Sequence, residues 1–126
     1  LRGLGVPLYM QKAYPDIPNA IEYPLKNVSS LVGDYYNSSI GYMLALAIFE
    51  GVDKIGIWGV DMDGPGEPGH ANEYRDERPN CEYLLGFAKA RGIEIYIPEE
   101  SPLLKFQGTF PLGTVIPKYT HRYGYL

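Results

Sequence analysis

With 126 residues, of which 45% are hydrophobic and 21% charged, the chain has material for one folded domain with one core and not for several. A net charge of −4 and a pI near 5.1 exclude the broad basic footprint that nucleic acid demands. A single cysteine, Cys81, excludes an internal disulfide and fits a reducing, cytoplasmic setting, and the longest apolar run, Tyr42 to Phe49, is too short to span a bilayer.

Leu1 to Gly5 reads as the last turn of a helix already under way, which implies chain upstream. Val6 to Met10 is β-prone and ends at the polar pair Gln11 and Lys12, so a strand is expected there. Pro15 and Pro18 make the following loop incompatible with a helix interior. Ala20 to Tyr23 reads as a second short strand, and Leu25 to Val32 as a brief helix closed by Gly33.

Next comes the stretch around which the rest is organised. Asn37, Ser38 and Ser39 are all good helix caps, because a short side-chain oxygen accepts from the free N–H groups of a first turn. The helix they open runs over residues 38–50 and is apolar at nearly every position from Ile40 to Phe49, so a core helix is expected. Gly51 suits a left-handed C-terminal cap. Residues 54–60, rich in Ile and Val, read as a strand buried on both faces of a parallel sheet, with Trp58 in the core.

Residues 61–76, DMDGPGEPGHANEYRD, form a long Gly- and Pro-rich connection, the best candidate for a lid or site loop. Pro79 suits the first position of a second helix over residues 79–91, with Tyr83, Leu84, Phe87 and Ala88 as its buried stripe and Gly92 past its end. Ile93 to Ile97 is the next strand. The order predicts a βαβ unit with parallel strands and a right-handed crossover. Ser101 can cap one turn through Leu104. Residues 106–126 are rich in Tyr, Pro and Gly without a period and read as a tail that wraps the domain or a neighbouring copy; Tyr119, His121, Arg122, Tyr123 and Tyr125 suit a homo-oligomer or partner contact.

Ser39, the small-residue-rich apolar helix, the lysine-flanked strand and Gly59-Val60-Asp61 resemble the pattern of two Rossmann-like families. These are the bacterial sialyltransferases that use CMP-sialic acid and the domain of archaeal-type hydroxymethylpterin diphosphokinases. The segment RPNCEYLLGFAKARGIEIYIPEESPLLK continues the likeness, and the segments YMLALAI, GVDM and RPNCEYL are similar to those of proteins encoded by phages and prophages. The resemblance spans about residues 6–105. It implies an α/β, three-layer, Rossmann-like domain with a mainly parallel sheet over residues 1–105, and a nucleotide or nucleotide-sugar ligand in a bacterial cytoplasm. Glycosyl or diphosphate transfer is the activity it implies. Two features depart from these families. No strand with a glycine-rich nucleotide loop precedes Val6, so half of a nucleotide site is absent or supplied from upstream. The sialyltransferases' histidine falls nearest Arg75 here, with His70 several residues earlier.

The candidate site residues each carry two readings. Asn37, Ser38 and Ser39 either present a helix N-terminus to phosphate or carboxylate, or simply cap the helix. Asp61, at a strand's carboxyl end, suits a ribose hydroxyl or, with Asp63, a hydrated Mg²⁺; both are also common turn formers. His70 is the available general base or a solvated loop histidine. Arg75 and Arg78 either meet phosphate oxygens or pair with Glu73, Asp76, Glu77 or Glu82. Cys81 lacks a nearby histidine and reads as a packed thiol. Against the enzyme reading stands a non-catalytic small-ligand or protein-interaction module that self-associates through its tail.

Overall fold

A computed structural model describes residues 5–60, 62 and 73–105, the side chains of 73–75 excepted. Its described residues form a mixed α/β structure in the order β1 (Leu8–Met10), β2 (Ala20–Glu22), α1 (Leu25–Val32), α2 (Ser39–Glu50), β3 (Lys54–Gly56), α3 (Glu73–Ala90) and β4 (Glu94–Tyr96). Backbone contacts divide the chain into two compact units, residues 1–34 and 35–126.

In the first unit β1 and β2 pair in parallel, with Leu8 opposite Ala20 and Met10 opposite Glu22. Parallel neighbours usually need a crossover of a dozen residues or more, so a return over residues 11–19 requires tight turning. The prolines supply it. Ile17 N–H donates to the Tyr14 carbonyl at 3.0 Å and Ala20 N–H to that of Ile17 at 2.9 Å, folding the connector back on itself. Asn19 Nδ2 donates to the Val6 carbonyl at 2.6 Å and holds the two ends together. Pro24 lends its carbonyl to the N–H groups of Asn27 and Val28 and starts α1 without a side-chain cap. Val28 and Val32 are the buried residues of that helix, one turn apart.

In the second unit the expected cap is present: Ser38 has extended backbone and its side chain accepts from Gly41 N–H, which opens α2. Gly51 closes the helix at φ 70°, a conformation that costs any residue with a Cβ roughly 1 kcal/mol. Leu44, Ala45 and Ile48 bury one stripe of α2, which packs on α3. The strands flanking α3 pair in parallel, Lys54 opposite Glu94, Ile55 opposite Ile95 and Gly56 opposite Tyr96, as the βαβ order predicts.

Three details correct the sequence reading. The helix α3 starts at Glu73 rather than Pro79, which lies inside it; a proline costs a helix one hydrogen bond and does not forbid it where packing compensates. Its fully buried residues are Cys81, Leu84, Leu85 and Ala88, while Tyr83 is exposed, so the buried stripe is rotated from the one expected. Finally, β3 is not buried on both faces. Ile55 and Ile57 are buried, whereas Lys54, Gly56 and Trp58 face outward, the alternation of a sheet with one covered face. Trp58 is 67% exposed and is not core.

Candidate functional site

The exits of β3 and β4 are joined. Ile57 N–H donates to the Tyr96 carbonyl at 3.0 Å, extending the ladder by one residue beyond the strands. Gly59 then takes φ 68°, which explains the glycine of the Gly59-Val60-Asp61 motif: it turns the chain off the sheet. Ser101 Oγ donates to the Val60 carbonyl at 3.3 Å and accepts from Leu103 N–H at 3.4 Å, so the segment after β4 is tied to the segment after β3. Met62 is buried at φ 48° and anchors the chain next to Asp61.

That corner is reinforced from α3. Arg78 Nε donates to Glu82 Oε1 at 3.0 Å, and its guanidinium also donates to the carbonyls of Pro102 at 2.7 Å and Lys105 at 3.4 Å. The same Glu82 oxygen accepts from Leu104 N–H at 2.9 Å. Lys105 folds back so that Nζ donates to the carbonyls of Pro98, Glu99 and Ser101 at 2.6 Å each. Three charged side chains therefore satisfy the backbone of one irregular turn, which would otherwise leave polar groups orphaned. Arg78 thus engages Nε and one terminal nitrogen of its guanidinium within the fold.

At the start of α2, Ser38 is 6% exposed, and its Oγ accepts from Gly41 N–H at 3.0 Å and lies 3.8 Å from Cys81 Sγ. Gly41 is required by close approach, since a Cβ there would stand 3.0 Å from Tyr36 Cβ. Burial pushes the Cys81 thiol up from its usual 9.0; the Ser38 contact pulls the other way, and Glu77 and Glu82 add to the rise. A thiol kept protonated is a poor nucleophile, so Cys81 is a packed residue, as its sequence context suggested. Asn80 beside it is buried and its Oδ1 accepts no hydrogen bond, a feature with no sequence signal. Asn37 and Ser39 flank the cap and are exposed. The structure thus groups Asn37, Ser38 and Ser39 at one helix start and places Arg78 in the α3 clamp. Asp61, Asp63, His70 and the side chain of Arg75 lie outside the described residues, as does the tail over 106–126.

The outward face of the sheet carries residues that the sequence reading places in the core. Trp58 stands two residues beyond Gly56, and its six-membered ring lies back over Gly56 so closely that a Cβ there would meet it at 2.3 Å. Tyr96, opposite Gly56 in the ladder and 54% exposed, completes an aromatic pair with ring centroids 5.2 Å apart and planes 34° apart. Behind them, Lys54 Nζ and Glu94 Oε2 form an exposed ion pair at 2.8 Å. The signal was present in the alternations Lys54-Ile55-Gly56-Ile57-Trp58 and Glu94-Ile95-Tyr96.

Among the described residues no three His, Cys, Asp or Glu side chains come together as a metal site, and no helix is long and apolar enough to cross a membrane. No family model matches the chain, and neither a curated protein nor a solved structure matches it.

Proposed function

We propose that the chain is a nucleotide- or nucleotide-sugar-binding domain of phage type, on a three-layer Rossmann-like plan, acting in glycosyl or diphosphate transfer in a bacterial cytoplasm. The observation that carries this reading is the parallel β3–α3–β4 unit with its two strand exits tied through Ser101 and Val60. In α/β sheets the carboxyl ends of parallel strands are where ligands bind, and Asp61 follows directly from that tie. In this reading Asp61 holds a ribose hydroxyl or, with Asp63, a hydrated Mg²⁺; Arg75 meets phosphate; His70 is the base; and Asn37 and Ser39 border the ligand. Ser38 and Arg78 contribute by shaping the rim.

A second reading has its own support. Ser38, Arg78 and Glu82 each make hydrogen bonds inside the fold, as expected of a non-catalytic small-ligand or protein-interaction module assembled through its tail. Calorimetric titration with CMP, CDP, UDP and ATP, with and without Mg²⁺, separates the two. The first reading expects saturable binding that Asp61→Ala abolishes. A folded chain that binds none of them contradicts it and leaves the interaction module.

A further inference from the structure

The Trp58–Tyr96 surface has an unusual construction. Large aromatic side chains are normally buried for the free energy their area yields, yet Trp58, two residues past the end of β3, and Tyr96, at the end of β4, both face solvent. The arrangement also depends on an omission. Gly56 stands between Lys54 and Trp58 on the outward face, opposite Tyr96, and any side chain there would displace the indole. With Gly56 empty, the indole leans back along the strand and meets the phenol ring, with centroids 5.2 Å apart and planes tilted by 34°, so the two exposed rings form one aromatic cluster. The polar groups beside it cancel in charge, because Lys54 and Glu94 neutralise each other. A neutral, planar group therefore suits this surface better than a phosphate does, and the surface lies at the carboxyl ends of β3 and β4.

We propose that Trp58 and Tyr96, with Gly56 as the gap that lets them meet, form the stacking subsite for the nucleobase of the nucleotide. The proposal rests on the nucleotide-binding reading above. The base lies against the aromatic pair, and the ribose and phosphates run past the strand exits. Every base has a π face, so the subsite supplies affinity with little discrimination among bases.

The chain contains one tryptophan, so indole emission, excited at the red edge where the twelve tyrosines do not absorb, reports this surface. Folded wild type, Trp58→Ala, Trp58→Phe and Tyr96→Ala are titrated with CMP, UMP, AMP and GMP, and with ribose 5-phosphate as the baseless probe, by fluorescence where Trp58 is present and by calorimetry throughout. The expected result is quenching by the four nucleotides and none by ribose 5-phosphate. Affinity falls about 5- to 150-fold in Trp58→Ala, the range that stacking on one aromatic ring is worth, and is mostly retained in Trp58→Phe. If Trp58→Ala does not fold, Tyr96→Ala and the wild-type quenching decide. Nucleotides bound at wild-type affinity by Trp58→Ala or Tyr96→Ala, without quenching in wild type, overturn the subsite and leave the nucleotide reading standing. No nucleotide binding by folded wild type overturns both. Emission that shifts with protein concentration in the absence of ligand assigns the surface to a second copy and overturns the proposal.

Discussion

The start of α2 and the outward face of the β3–β4 sheet are built from similar materials, small residues that let larger ones approach, and they put them to opposite use. At the helix start Gly41 admits Tyr36, Ser38 turns its oxygen onto a backbone N–H, and Cys81 closes the space from α3. Every group named there points inward. On the sheet Gly56 admits Trp58, but the resulting aromatic pair faces water. A serine next to an apolar helix looks functional and is occupied by structure, whereas a tryptophan in a strand looks structural and is left exposed. Residue type alone does not tell which side of an element a side chain serves; the register does.

The sharpest way to break the inward half of this comparison is to remove its packing. Leu84 is fully buried on α3, in the core to which α2 contributes Leu44 and Ile48, and Leu84→Ala should lower unfolding free energy by about 2–5 kcal/mol in chemical denaturation. Ser38→Ala should cost about 1 kcal/mol, the usual worth of a helix cap.

The Cys81 thiol gives a pH signature. Its protonation is favoured in the fold by burial, so below 9.0 both folded and unfolded chains hold the proton and stability is unaffected. Above that value the unfolded chain ionises first, and stability should fall with rising pH until the folded thiol titrates as well. Denaturation curves across this alkaline range should show that slope in wild type and not in Cys81→Ala, against the shared background of other alkaline groups. The smallest effect belongs to the exposed Lys54–Glu94 pair: Lys54→Ala should change stability by no more than about 0.5 kcal/mol, with added salt erasing the difference.

Local chemistry was the legible part of the fold. Ser38 as cap, Gly51 as left-handed stop, Gly33 as terminator of α1 and the parallel pairing across α3 all follow from short-range rules, and the structure contains them. The errors arose where a short-range rule was read past its range. Proline favours a first turn, which points to Pro79 as a helix start, yet α3 extends to Glu73 on its amino side. Residues 54–60 contain enough Ile, Val and Trp to read as continuously buried, and that composition masks the alternation over 54–58. The Arg78–Glu82 pair follows from its four-residue spacing, but the reach of Arg78 to the Pro102 carbonyl and of Glu82 to Leu104 N–H joins groups far apart in sequence, and no periodicity announces it.

The contrast between an inward-facing helix start and an outward-facing sheet face is tested most directly by measuring Ser38→Ala and Trp58→Ala side by side, thermal melting first and nucleotide titration second. The account predicts a crossed result. Ser38→Ala melts lower and, once folded, binds CMP with wild-type affinity; Trp58→Ala melts close to wild type and binds it weakly. The reverse pattern, with Trp58→Ala destabilised and Ser38→Ala unable to bind, would place the ligand at the helix start and return Trp58 to the role of a structural residue.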